Sequence, residues 1–327
     1  MRRLPAACLA LFLALPAAEA GWQELAPLPE ANGGFACGFI GGRLVIAGGT
    51  NWVDGRKHWL DAIRSYDPGT GSWSSNIRLP HAWAYGVCSV IHDRLVLAGG
   101  TDGINGLREI LALDGEGKGE VIGELSTGQV YACGGLCGSR LILAGGAPGP
   151  GDLGVLTSRV AAINFSVPEL AARVQPLPDL PGPGFGIAIA ASVGDRLVIA
   201  GGARSDPTDT VRNLDDVRVL DARTGAVLST LHLPGVVRGL AAVTLDHGLV
   251  YLAGGYPDDA QGFTDHAWVL DPAAGTIKAA TPLPLTAMVH LLREEGWVYL
   301  LGGEDQKQHR SARMWRIAVS ELVPLPR

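Results

Sequence analysis

The sequence predicts an all-β fold in which six four-stranded blades close into a ring, and three observations carry that expectation. The first is a short run, Arg43-Leu-Val-Ile-Ala-Gly-Gly49, that is written again with small edits. It returns as Arg94-Leu-Val-Leu-Ala-Gly-Gly100, Arg140-Leu-Ile-Leu-Ala-Gly-Gly146, Arg196-Leu-Val-Ile-Ala-Gly-Gly202, Leu249-Val-Tyr-Leu-Ala-Gly-Gly255 and Trp297-Val-Tyr-Leu-Leu-Gly-Gly303. The second is spacing: the glycine pairs recur every 46 to 56 residues, too regular for unrelated strands. The third is the character of each copy, a β-branched and aliphatic run that stops at two glycines. Such a run reads as a strand buried on both faces whose exit needs backbone angles that glycine adopts cheaply. Six strands of this kind share one core only when packed radially, an arrangement that leaves short sheet edges.

A repeat of about 50 residues is that of kelch motifs, one repeat per blade. The first blade shows the motif most fully. Gly33-Gly-Phe-Ala-Cys-Gly-Phe39 supplies the inner strand, the glycine-pair strand follows, and Ile63-Arg-Ser-Tyr-Asp67 makes the third; a Pro-Gly-Thr-Gly turn then leads to Trp73 and the outer strand. Glycine pair, Tyr66 and Trp73 together form the kelch signature, so the expected fold is a six-bladed kelch β-propeller over residues 21–327. Later blades keep the glycines and lose much of the rest, although Leu220-Asp221 and Leu270-Asp271 preserve the turn entrance. Blade two is expected from about Trp83 to Leu125, blade three from Val130 to Pro176, blade four from Gly184 to Leu231, blade five from Val237 to Ala280 and blade six from Ala287 to Val319. Blade six has three strands and no clear turn into a fourth. The N-terminal segment Trp22 to Leu25 can fill the gap and close the ring, and Glu321-Leu-Val-Pro-Leu-Pro326 is the competing outer strand.

Composition suits one domain with an ample core. Of 327 residues, 47% are hydrophobic and 18% charged, with 46 glycines and 21 prolines for many turns. A net charge of -6 without a basic run gives no electrostatic footprint for nucleic acid. Arg2 and Arg3 precede the apolar run Leu4 to Ala18, and Ala18-Glu19-Ala20 offers small residues where a signal peptidase reads. The run is short of the roughly 20 residues that span a bilayer. A cleaved signal peptide (residues 1–20), no membrane insertion afterwards, and a periplasmic or secreted product are therefore expected. Four cysteines would remain: Cys37, Cys88, Cys133 and Cys137. Cys37 and Cys88 each stand 11 residues ahead of a glycine pair, on equivalent inner strands. A bridge between them is open in an oxidising compartment, with compact hydrophobic packing as the alternative. No spacing suggests a metal.

In a propeller the loops after the glycine pairs surround one central mouth, so polar residues there are the natural site candidates. They are Thr50, Asn51 and Trp52; Thr101 and Asp102; Arg204; Tyr256 and Asp258; and Glu304 to Arg310. Glu304 departs from its sisters by placing a carboxylate directly after the pair, with Arg310 six residues on. A carboxylate aimed into a narrow mouth loses solvation, the condition that suits such a group to proton transfer, and a guanidinium offers a fork for a substrate carboxylate. The competing reading is a solvated Glu-Arg pair on a polar loop. His290 on the inner strand of blade six either faces the channel or is a satisfied structural histidine.

These segments resemble the kelch-type sialic acid mutarotases, also called N-acetylneuraminate epimerases, in their cyclically permuted form. Gly33 to Phe39 with Ala47-Gly-Gly-Thr-Asn51 is similar to that family's glycine-rich strand and turn. Lys57-His-Trp-Leu-Asp-Ala-Ile63 is similar to its Lys-x-Trp-x-Asp-x-Ile segment, Ala84-Tyr-Gly-Val87 to its Ala-Tyr-Gly-Val strand, and Gly303-Glu304 with Arg310 to its proposed catalytic loop. The resemblance implies an isomerase that interconverts the α and β anomers of N-acetylneuraminate without a metal or redox cofactor. It implies that Glu304 accepts the anomeric proton and that Arg310 binds the sugar carboxylate or polarises the anomeric centre. Asn51, Lys57, Trp59, Arg204 and Tyr256 would line the pocket, with the general acid unassigned and a bound water sufficient. The long helical insertion of some family members is missing, Thr50 and Trp52 replace commoner residues, and the third blade is weak. Two other functions remain open at this stage: a non-catalytic kelch platform for a glycan or protein, and a copper oxidase of galactose-oxidase type, for which the scattered tyrosines and histidines show no ligand set.

Overall fold

The structure, a computed structural model, describes residues 21–322 apart from 152, 167–169 and 206–210, with the side chains of 75 and 76 also set aside. The expected signal peptide and residues 323–326 of the competing C-terminal strand lie outside the described residues.

Six antiparallel four-stranded blades are present, and the first five run from hub to rim in chain order. In blade one the order is Ala36–Ile40, Arg43–Ala47, Ala62–Asp67 and Ser72–Arg78. Blades two to five repeat this order from inner strands Val87–Ile91, Cys133–Cys137, Ile189–Val193 and Ala241–Thr244. Blade six takes three strands from the C-terminal end, Met288–Glu294, Trp297–Gln306 and Met314–Ala318, and its outer strand from Gln23–Glu24. Gln23 lies opposite Arg316, and Leu25 N–H donates to Met314 O at 2.9 Å. Of the two candidates for closing the ring, the N-terminal segment is the one that does it; Val319–Leu322 turns into a short helix instead. Among the described residues no helix is long and apolar enough to cross a membrane.

The continuous hydrophobicity of the glycine-pair strands has a direct cause. Side chains alternate across a strand, so Leu44 and Ile46 point into a core shared with blade six, while Val45 and Ala47 point into one shared with blade two. Leu95 and Leu97 enter that second core from the other side, whereas Val96 and Ala98 face blade three. The same division recurs round the molecule, giving six apolar cores that each lie between two blades. Full burial of one Leu or Ile side chain contributes about 1.5–3 kcal/mol, and no blade could bury these faces alone.

The two glycines of each pair do different work. The first N–H donates within its own blade to the third strand, as Gly48 does to Ala62 O at 3.0 Å and Gly302 to Arg313 O at 2.9 Å. The second N–H crosses to the next blade: Gly49 to Trp83 O, Gly100 to Gln129 O, Gly146 to Phe185 O, Gly202 to Val237 O, Gly255 to Ala287 O and Gly303 to Asn32 O, all between 2.7 and 2.9 Å. The carbonyl that receives this bond presses on the first glycine. A Cβ built on Gly48 would lie 2.2 Å from Trp83 O, and one on Gly302 2.6 Å from Asn32 O. Positive φ at both glycines adds a second reason for their identity.

The rim follows the expected kelch pattern. Tyr66 lies opposite Trp73 with ring centroids 5.0 Å apart. Asp67 Oδ1 accepts the N–H groups of Gly69 and Thr70, and these bonds hold its carboxyl below the ordinary range. Asp221 and Asp271 receive the two equivalent N–H groups in blades four and five, which explains why the turn entrance outlasts the aromatic pair. All four described cysteines are free thiols. Cys37 and Cys88 pack on neighbouring inner strands, Cys88 Sγ 3.7 Å from Cys37 O, and burial pushes both thiols up.

Gly48→Ala is expected to destabilise the protein by about 3 kcal/mol or more, because both φ and the Trp83 carbonyl oppose the methyl group. Gly42→Ala shares the positive φ but meets no atom within 4 Å, so its cost should stay near ~1 kcal/mol. Paired thermal melts measure the difference, and equal losses would contradict the role given to the carbonyl.

Candidate functional site

The chain enters the hub through a second repeated device, two residues upstream of each inner strand. Thr50, directly after its glycine pair, exchanges both backbone hydrogen bonds with Gly33; Thr101 pairs with Ala84, Ala147 with Val130, Ala203 with Gly186 and Tyr256 with Arg238 in the same way. The next residue in each case adopts a left-handed backbone: Gly34, Tyr85, Tyr131, Ile187 and Gly239, with φ of 74, 59, 61, 54 and 65°. Their N–H groups form a chain round the hub, Tyr85 donating to Gly34 O, Tyr131 to Tyr85 O, Ile187 to Tyr131 O and Gly239 to Ile187 O, at 2.9 to 3.0 Å. A tyrosine pays a strain in this region that glycine does not, which marks Tyr85 and Tyr131 as held there by their surroundings.

Blade six breaks the chain. Met288 pairs with Glu304, the register slips before His290, and the Nε2 of His290 accepts the Gly34 N–H at 3.1 Å in place of a carbonyl. His290 is therefore a neutral acceptor stacked on Phe35, ring centroids 4.0 Å apart. Burial, with Arg310 nearby, pushes its pKa down to about 4. It is a structural histidine within the hub wall, the second of the two roles open to it from sequence.

The glycine-pair strand of blade six does not stop at its glycines but runs on to Gln306 and folds back through His309–Arg310, placing Glu304 directly across from Arg310. Arg310 is 6% exposed, so the pair is no solvated surface contact. One Arg310 amino group, Nη1, donates to Glu304 Oε2; Nη2 donates to Tyr85 Oη at 2.6 Å; Nε donates to Thr50 Oγ1 at 3.2 Å. Glu304 Oε1 accepts the Gln308 N–H at 3.3 Å. Thr50 Oγ1 also contacts Tyr85 Oη at 3.0 Å and donates to Gly33 O at 3.0 Å. Gly33 must be glycine here, since a Cβ would stand 2.9 Å from Arg310 Cδ.

The hairpin Thr50–Val53 with Arg56–Trp59 supplies the remaining cation. Lys57 Nζ reaches Tyr85 Oη at 3.3 Å and lies 5.4, 5.4 and 5.2 Å from the ring centroids of Trp52, Trp59 and Tyr85. Trp59 packs edge-on to Tyr85 with ring centroids 5.8 Å apart, and the Tyr131 ring lies tilted 5.2 Å from that of Tyr85. Tyr131 donates to Pro150 O at 2.8 Å, and burial raises its pKa to about 12, so it stays protonated.

Of the residues singled out from sequence, Glu304, Arg310, Lys57 and Trp59 thus gather in one cluster. Asn51, Arg204 and Tyr256 are not bonded to it. Asn51 Oδ1 accepts the N–H of Trp52 at 2.7 Å within its own hairpin. Arg204 stands on a separate hairpin opposite Arg212. Tyr256 is buried, its hydroxyl donating to Asp259 and its ring covered by Arg238 at 4.6 Å. The fork expected of Arg310 is occupied by three partners of this chain. Sequence reasoning passed over Tyr85 and Tyr131 as hub residues, and over Arg238, whose Nη1 donates to Asn213 Oδ1 at 3.0 Å. A signal did exist: Gly34, Tyr85, Tyr131 and Ile187 stand 15 residues ahead of Gly49, Gly100, Gly146 and Gly202. Aligning the blades on their glycine pairs would have shown two tyrosines in a column that begins with glycine.

Two features lie apart from the cluster. A cleft of about 770 Å³ opens between blades two and three, lined in part by Arg108, Gln129, Arg159 and Asp179, and shares no residue with it. Among the described residues, Asp215, Asp216 and His232 bring three metal-capable atoms within 4.8 Å of one another, but they sit where the third strand of blade four begins and its outer strand ends, with Asp216 bonded to Arg218.

Comparison with known proteins agrees with this architecture. A family model described as Kelch motif matches residues 31–75, from the entry to blade one into its outer strand. No curated protein matches the sequence. The chain is similar to a solved structure titled "Structure of YjhT", with a TM-score of 0.69, 16% identity, and coverage of 81% of this chain and 89% of that one. At that identity the likeness is one of fold.

The His290 environment sets a pH dependence. Its folded pKa of about 4 lies below the ordinary 6.5, so between these values the unfolded chain binds more protons and stability rises with pH. Stability is fully present above about 6.5 and falls as the pH drops towards 4. His290→Gln retains an acceptor for Gly34 and should flatten that slope, by on the order of 2 kcal/mol across the window. Denaturant melts of both proteins from pH 4 to 7 check this; parallel curves would contradict it.

Proposed function

We propose that this protein is an exported carbohydrate isomerase that interconverts the α and β anomers of N-acetylneuraminate by acid-base ring opening. The observation that carries the reading is the meeting of motifs far apart in sequence. Thr50 and Lys57 of blade one, Tyr85 of blade two, and Glu304 with Arg310 of blade six form one hydrogen-bonded cluster. These are the segments through which the sequence resembles the sialic acid mutarotases. Export rests on the signal-like residues 1–20.

Anomer exchange needs a base for the anomeric hydroxyl proton and an acid for the ring oxygen, with no net chemical change. Glu304 suits the base. Its side chain is 19% exposed, open enough to meet a ligand, and Arg310 fixes its orientation. Arg310, enclosed by Glu304, Tyr85 and Thr50, acts by holding these groups rather than by embracing a substrate carboxylate. That carboxylate falls to Lys57, a half-buried ammonium above three aromatic rings. The flat faces of Trp52 and Trp59 suit packing against a sugar ring. A polar, charge-lined mouth of this kind favours chemistry on a small ligand over a flat apolar docking face.

Glu304→Gln keeps the size of the side chain and an acceptor for Arg310 while removing the base. Followed by NMR from freshly dissolved N-acetylneuraminate, its catalysed exchange is expected to fall by about a hundredfold with binding retained. Exchange as fast as wild type would remove the role assigned to Glu304. A wild-type protein that accelerates exchange of no sugar in a panel of acidic and neutral ones would overturn the reading as a whole.

A further inference from the structure

We propose that Tyr85 is the general acid of the ring-opening step, an assignment that rests on the anomer-exchange reading above. Counting protons in the cluster leads to it. Arg310 Nη2 and Lys57 Nζ can only donate, so their contacts of 2.6 and 3.3 Å to Tyr85 Oη use the phenol oxygen as acceptor. Thr50 has one hydroxyl proton, which goes to the carbonyl of Gly33 at 3.0 Å, a group that can only accept. Its oxygen already receives Arg310 Nε at 3.2 Å. In the 3.0 Å contact between Tyr85 and Thr50, Tyr85 is therefore the donor. The phenol proton is held by a neutral hydroxyl, and the oxygen it would leave behind already faces two cations.

The same guanidinium serves the base and the acid. Arg310 donates through Nη1 to Glu304 and through Nη2 to Tyr85. Before ring opening it is paired with a carboxylate and touches a neutral phenol; afterwards it touches a neutral carboxylic acid and is paired with a phenolate. The negative charge crosses from one end of the arginine to the other, and the buried site keeps its net charge throughout. A site whose charges are already in place for the product needs little reorganisation. Lys57 adds a second donor to the phenolate end.

In atoms, Glu304 takes the anomeric hydroxyl proton as the bond from the anomeric carbon to the ring oxygen breaks. The electron pair of that bond goes to the ring oxygen, which replaces Thr50 Oγ1 as acceptor of the Tyr85 proton and takes that proton, and the anomeric carbon becomes a carbonyl. After rotation, the new hydroxyl adds to the opposite face of the carbonyl and returns its proton to Tyr85, while Glu304 returns its own to the carbonyl oxygen. Nothing is consumed, and the left-handed backbone of Tyr85 keeps the phenol aimed at the hub.

The test is exchange of N-acetylneuraminate measured by NMR over a range of concentrations for wild type, Tyr85→Phe, Lys57→Gln and Glu304→Gln, with melting temperatures for each. Phenylalanine preserves the packing on Trp59 and Tyr131. Tyr85→Phe is expected to lower kcat by about a hundredfold or more while KM moves by less than about threefold. Lys57→Gln is expected to raise KM, because the substrate carboxylate loses its cation, and separately to lower kcat by about tenfold, because one of two cations on the phenolate is lost. If Tyr85→Phe melts far below wild type, Lys57→Gln decides alone, an unchanged kcat overturning the assignment. A Tyr85→Phe protein with wild-type kcat, or one altered in KM alone, overturns it and leaves Glu304 and the anomer-exchange reading standing. Inactive wild type overturns both.

Discussion

The backbone bond from the second glycine of each pair to the neighbouring blade organises the molecule from hub to rim. It is short and repeated at all six junctions, including the one between the last blade and the first. The acceptor carbonyl sits where a Cβ of the first glycine would be. One pair of residues thus ends a buried strand, joins two blades and turns the chain upward at a fixed place. Whatever follows the pair emerges at the mouth, which is why Thr50 and Glu304 reach the same small volume from opposite ends of the sequence.

Placing an ion pair in that volume carries a cost that geometry has to meet. Removing a guanidinium and a carboxylate from water is unfavourable unless their remaining groups are satisfied. Here Arg310 finds Glu304, Tyr85 and Thr50, and its aliphatic stem fills the space left by the missing side chain of Gly33. Gly34 and Gly103 make similar room for the rings of Tyr85 and Trp59. The hub holds these side chains because the positions around them carry none.

The break in the hub's backbone chain at blade six belongs to the same arrangement. Five blades contribute a left-handed residue to that chain, and the sixth instead extends its glycine-pair strand into the Glu304 to Arg310 hairpin. His290 repairs the junction with blade one through its ring nitrogen. Lys307, at the hairpin tip, reaches Asp259 at 2.9 Å and ties the hairpin to blade five. The blade that departs most from the repeat is the one bearing the carboxylate and guanidinium.

Much of the architecture was written locally. The run Arg43 to Gly49 and its copies determine six blades, because strand alternation and glycine's backbone freedom act over a few residues and repeat in register. Tyr66, Trp73 and Asp67 announce the rim turn for the same reason. Glu304 and Arg310 stood out as departures from a repeat, which sequence alone can reveal. Tertiary structure decided which terminus closes blade six, that Arg310 spends its donors on Glu304, Tyr85 and Thr50, that Asn51, Arg204 and Tyr256 stay outside the cluster, and that Tyr85 belongs at its centre. Those outcomes depend on hydrogen bonds between residues separated by as many as 260 positions at the site and by 293 at the ring closure, and only the closed ring brings such partners within reach.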